Sequence, residues 1–104
     1  MKTVMVRYKT RPECTADNEA LVASVFQALA KDGPKGLRYQ VMREADGRTF
    51  VHLATRPDTA EGNPLLQVEA FRQFVAGIKD RCEEPPVTME MRILGVFEGK
   101  GMDQ

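Results

Sequence analysis

Two alternating apolar stretches, Leu37 to Glu44 and Arg48 to Thr55, flank the dipeptide Asp46-Gly47. This pattern predicts a β-hairpin, because glycine takes the positive φ that a tight primed turn requires. A two-residue turn there fixes the register. Val41 faces His52, Tyr39 faces Ala54, Met42 faces Val51 and Gln40 faces Leu53. Cross-strand partners share a face. One face therefore carries Leu37, Tyr39, Val41, Phe50, His52 and Ala54. The other carries Arg38, Gln40, Met42, Val51, Leu53 and Thr55. Both faces are partly apolar, so each needs a cover.

The flanking segments supply part of that cover. Thr3 to Thr10 alternates as a strand, and Arg11-Pro12-Glu13 stops it. Thr15 or Asp17 is expected to cap a helix running to about Lys31, with Leu21, Val22, Val25, Phe26 and Leu29 as its apolar stripe. Asp32-Gly33-Pro34 ends it, with Gly33 suited to a left-handed cap. A second helix is expected from Asn63-Pro64 to about Cys82, striped by Leu65, Val68, Phe71, Phe74, Val75 and Ile78. After Pro85-Pro86, Val87 to Phe97 reads as a last strand, and residues 98–104 as a loose tail. The order β-α-β-β-α-β predicts an α+β, ferredoxin-like fold: a four-stranded antiparallel sheet with two helices on one face. Two helices cover only one sheet face. An apolar face left open is an association site, and a homodimer with its sheets packed face to face is expected. A curved sheet with polar arms over it is the alternative.

Length and charge narrow the function. At 104 residues the chain is expected to form one domain, residues 1–104. Its 15 basic and 15 acidic residues cancel, which leaves no basic excess to meet nucleic-acid phosphates. No apolar run approaches the ~20 residues of a membrane span. The first residues alternate and hold no signal-peptide core, so a cytoplasmic location is expected. Cys14 and Cys82 fit neither a disulfide framework nor a metal spacing. Cys14 precedes a helix start, where a lowered pKa would make it reactive; a plain loop thiol is the alternative. Cys82 is expected as a packed thiol on the second helix.

Gly36-Leu37-Arg38-Tyr39, Arg48-Thr49-Phe50-Val51, Glu69-Ala70-Phe71-Arg72-Gln73-Phe74 and Pro85-Pro86 together resemble the antibiotic biosynthesis monooxygenase (ABM) domain family of the dimeric α/β-barrel superfamily. The resemblance spans about Thr3 to Phe97. It implies a homodimeric barrel with a pocket between sheet and helices in each subunit. It also implies, for some members, oxygenation of aromatic polyketides or quinols without metal or flavin. Other members degrade haem. This chain has Ala70 where members often carry a histidine, reads His52-Leu53-Ala54 where the third strand often ends Glu-Trp, and has no tryptophan.

His52 is the sole histidine, and its near-neutral unperturbed pKa suits a general base that deprotonates a phenol or anthrone. A structural histidine is the alternative. Tyr39 shares its face and would hold a substrate oxygen, or simply pack. Tyr8 is a weaker candidate of the same kind. Arg7, Arg38 and Arg92 would clamp an acidic ligand, or form interior ion pairs. Met42, among several strand methionines, would line an adaptable pocket with Phe50, Phe71 and Phe74, which otherwise fill the core. One histidine supplies no metal cluster, and no cofactor is expected. The readings in play are a cofactor-free monooxygenase acting on a small aromatic ligand, and a non-catalytic ligand-binding or stress-related homodimer using the same pocket. Haem binding is a third.

Overall fold

In the computed structural model, residues 1–101 are described; residues 102–104 of the expected tail lie outside them. The strands are β1 (Lys2–Thr10), β2 (Arg38–Arg43), β3 (Thr49–Arg56) and β4 (Cys82–Met91). All pairs are antiparallel, in the order β2-β3-β1-β4. The helices are α1 (Thr15–Asp32), α2 (Glu69–Ala76) and α3 (Ile78–Arg81). This is the α+β, ferredoxin-like arrangement expected from the sequence. Among the described residues no helix is long and apolar enough to cross a membrane.

The hairpin register is the expected one: Val41 pairs with His52 and Tyr39 with Ala54. Its turn is different. Only Gly47 has positive φ, at 77°, and its N–H donates to the Glu44 carbonyl. A primed turn needs Asp46 in the positive region as well. Instead the Asp46 carboxylate accepts from the backbone N–H groups of Arg48 and Thr49, both at 2.9 Å, and from the Thr49 hydroxyl. Those bonds hold its pKa down at about 2.

Three boundaries depart from expectation. First, α1 begins without a side-chain cap, after a 3-10 turn at Pro12–Cys14. It ends at an extended Gly33 (φ −76°, ψ 154°), because Pro34 disfavours a helical residue before it. Glycine is still required at 33, since a Cβ there would stand 2.7 Å from the Leu29 carbonyl oxygen.

Second, the expected long helix is broken into a 3-10 turn (Pro64–Gln67), α2 and α3. Leu65 and Phe74 are both buried. Nine residues turn an α-helix through about 900°, which would put the two on opposite sides. Asn63 caps the 3-10 turn through Leu65 N–H at 3.0 Å, extended Val68 resets the phase, and Gly77 separates α2 from α3.

Third, β4 starts at Cys82 and ends at Met91. Cys82 is thus a buried strand residue opposite Thr10, and burial pushes its thiol pKa up. Pro85 and Pro86 are accommodated because β4 is an edge strand, irregular between its Arg7 and Lys9 pairings. Met91 pairs with Thr3, which leaves Lys2 as the one β1 residue beyond that pair, too few to hold residues 92–97.

The helices pack on the face carrying Tyr8, Phe50, His52 and Tyr39, with Val25 and Phe74 completing the core. The opposite face holds Met5, Met42, Val51, Leu53, Val87 and Met89 by register. No helix covers it, and Met42, Val87, Met89 and Met91 are exposed.

Candidate active site

A chain of hydrogen bonds crosses the core beneath the helices. Arg81 Nε donates to Asn18 Oδ1 at 3.0 Å, and Asn18 Nδ2 donates to the Tyr8 hydroxyl at 2.8 Å. That hydroxyl is 2.8 Å from His52 Nε2, and His52 Nδ1 is 2.7 Å from the Tyr39 hydroxyl. Strand pairing sets the central contact: His52 sits opposite Val6, two residues from Tyr8 on the same face. Arg81 also donates to the Phe74 carbonyl at 2.7 Å and lies 5.2 Å over the Phe74 ring.

Proton count gives the chain a direction. Tyr8 is 2 % exposed and Asn18 is fully buried. The Tyr8 oxygen accepts from Asn18, so its own proton must go to His52 Nε2 or go unpaired. A buried donor left unpaired costs about 1–3 kcal/mol. We therefore assign His52 the tautomer with hydrogen on Nδ1, donating to the Tyr39 oxygen. The Tyr39 proton is then left for whatever occupies the space in front of it. Burial keeps Tyr8, Tyr39 and His52 in their neutral forms. It raises the pKa of both tyrosines and lowers that of His52 from 6.5 to about 4.

That space is a cavity of about 470 Å³ between sheet and helices, within the usual range of small-molecule sites. Phe71, Phe74, Val75 and Ile78 form its helical wall, and Val4, Val6 and Ala54 its sheet floor. The aromatic groups are in mutual contact: His52 stacks on Phe74 at 5.1 Å, and Tyr39 meets Phe71 edge-on at 6.4 Å.

Of the residues singled out from the sequence, the cavity brings together His52, Tyr39, Tyr8, Phe71 and Phe74. Phe50 is on the same sheet face but lies in the core, stacked on Tyr8 at 5.5 Å. Arg7, Arg38 and Met42 are on the opposite face, and Arg7 is ion-paired there with Glu44 at 2.8 Å. Arg92 lies exposed beyond the end of β4. Both His52 nitrogens are occupied by tyrosine hydroxyls, so neither is open to a ligand.

Sequence reasoning underweighted Tyr8 and passed over Asn18 and Arg81. The signal was present. Asn18 stands three, four and seven residues before Leu21, Val22 and Val25, and Arg81 seven after Phe74. Polar groups on an apolar stripe are rarely buried without a partner. Among the described residues no three His, Cys, Asp or Glu side chains cluster as metal ligands.

The fold is shared with several solved structures. One, an antibiotic biosynthesis monooxygenase, has a TM-score of 0.75 and 19 % identity, over 91 % of this chain and 100 % of the other. Rv0793 from Mycobacterium tuberculosis has a TM-score of 0.73 and 18 % identity, over 93 % and 98 %. A variant of SnoaB, a cofactor-independent oxygenase from Streptomyces nogalater, has a TM-score of 0.67 and 16 % identity, over 94 % and 97 %. The ABM fold expected from the sequence is therefore the one observed. No protein-family model matches the chain, and no curated protein matches it in sequence.

The neutral His52 makes stability depend on pH. An unfolded chain takes up a proton at His52 below about pH 6.5, and the folded chain not until about pH 4. The unfolded state binds more protons in that window. The stabilisation is complete above pH 6.5 and is lost as pH falls toward 4. Urea unfolding at pH 7 and pH 5 should differ by roughly 2 kcal/mol, with His52→Gln flattening the difference. A wild-type profile flat between these values would contradict the assignment.

Proposed function

We propose that this chain, with its ABM-type fold, is a cofactor-free oxygenase of flat phenolic or anthrone-type molecules. The observation that supports the reading most is an aromatic-walled cavity ending in one hydroxyl, that of Tyr39, held as a donor by a buried neutral histidine. Tyr39 touches the substrate, and His52 is its positioning residue.

The chemistry needs little more. An aromatic molecule reacts with oxygen without a metal when it carries enough electron density, that is, as its phenolate or enolate. A donor aimed at the developing oxyanion stabilises that form, and such bonds are worth about 1.5–3 kcal/mol, or one to two units of the substrate's pKa. The substrate proton leaves to water. The anion then passes an electron to O₂, and the radical pair combines at carbon to a peroxide. Loss of water leaves a carbonyl. A ring CH₂ and O₂ thus become C=O and H₂O, which balances with no external reductant. This replaces His52 as the direct base, because both its nitrogens are engaged.

That same engagement favours a second reading. The cavity then holds its aromatic ligand without turning it over, since among the described residues the one carboxylate that lines it, Glu90, stands by Lys2 and not beside Tyr39. Oxygen uptake with an anthrone separates the two. The oxygenase should consume O₂ above the buffer rate and release the anthraquinone, and Tyr39→Phe should lower kcat by about 10²-fold, the typical cost of one oxyanion donor. Binding with no uptake would leave the binding protein. No binding would overturn both.

The molecule is further proposed to work as a homodimer. The uncovered face bearing Met5, Leu53 and Met89 adjoins the exposed segment with Ile93, Leu94, Val96 and Phe97. An apolar surface of that extent is covered by a second copy most simply. Light scattering should return about twice 11.7 kDa, and Leu53→Arg should halve it. A wild-type mass that stays at 11.7 kDa at every concentration would overturn this proposal.

A further inference from the structure

The cavity has two chemically different ends. Along its sheet floor, β1 and β3 present paired residues on one face: Val6 with His52, Val4 with Ala54, and Lys2 with Arg56. The first pair belongs to the hydroxyl end and the last lies at the mouth. Strand rise is about 3.3 Å per residue, so His52 and Arg56 stand about 13 Å apart along the strand. Between them the floor is small and apolar.

Lys2 and Arg56 are directly opposed cations. Like charges placed so repel unless an anion intervenes. Glu90, which pairs with Val4 from β4, is 3.8 Å from Lys2, but its side chain is 71 % exposed. A contact so open to water contributes little. Arg56 makes no ion pair with a carboxylate among the described residues, although it lines the cavity. The lining thus holds two cations and one acid, with the planar guanidinium uncommitted. A guanidinium binds carboxylates through two parallel hydrogen bonds.

We infer that the cavity selects a hydroxyaryl carboxylic acid. Its phenolic oxygen meets Tyr39, its rings lie over Val4 and Ala54, and its carboxylate is held at the mouth by Arg56 and Lys2. The inference rests on the cavity reading above and adds the charge of the ligand. The arginines expected from the sequence to clamp an acid are elsewhere; Arg56 takes that role.

The probe is 6-hydroxy-2-naphthoic acid, whose hydroxyl and carboxylate lie at opposite ends of one rigid ring system. 2-Naphthol is its neutral counterpart. Calorimetric titration should show the acid binding at least about tenfold tighter than the naphthol, with the preference shrinking as salt is raised. Arg56→Gln should weaken the acid about tenfold and leave 2-naphthol unchanged, which also shows that the variant is folded. Glu90→Gln should tighten the acid, a gain that misfolding cannot mimic. Tyr39→Phe should weaken both compounds. Equal affinity for the two compounds, or an Arg56→Gln effect shared by both, would overturn the carboxylate selection while leaving the cavity reading intact. Failure of both compounds to bind would overturn both.

Discussion

The Tyr8 hydroxyl is the point on which the interior depends. It accepts from Asn18 of α1 and meets His52 of β3, and through Asn18 it is tied to Arg81 of α3. One oxygen thus joins the middle of the sheet to α1 and, through Asn18, to α3. Polar groups taken out of water are costly unless each finds a partner, and among the described residues none of the buried side-chain nitrogens or oxygens lacks one. A fully paired network specifies a single arrangement, because sliding any element by a residue would leave several groups unpaired at once. The aromatic contacts of Tyr8 with Phe50 and Phe74 pack the same ring whose hydroxyl anchors the chain. Packing and polarity therefore fix one geometry together.

That geometry divides the labour of the sheet. The helix-facing side is closed over the network at one end and opens into the cavity at the other. The Tyr39 hydroxyl lies at the boundary, half in the core and half in the cavity. What faces the cavity is the outcome of proton placement several residues away. The opposite side carries no such network. Its methionines and branched residues, with the ion pair of Arg7 and Glu44 at one edge, offer area and adaptability in place of chemistry.

Much of the fold was legible in the sequence, and the limits have physical causes. The hairpin register followed from strand period and the position of Asp46-Gly47, even though the turn there is of another type, because the alternation constrains pairing more strongly than the turn does. The break at Val68 was hidden by a stripe of apolar residues three apart, which drifts around a helix instead of holding one face. Which sheet face lined the cavity was not legible, since both faces of the hairpin carry apolar residues. Arg7, Arg38 and Met42 lie on the face away from the cavity, while His52 and Tyr39 share by register the face that lines it. The link from Asn18 to Arg81 spans 63 residues and joins two separate helices. No local pattern reveals such a contact. Each residue announces only that a polar partner must exist.

The most direct test of the account is the protonation state of His52. It is the only histidine in the chain, so a long-range nitrogen–proton NMR spectrum reports it without ambiguity. A neutral ring with hydrogen on Nδ1 is expected, unchanged from pH 7 down to pH 5. A ring protonated on Nε2, or one that becomes charged near pH 6.5, would contradict the directed chain from Asn18 to Tyr39 and the donor it presents to the cavity.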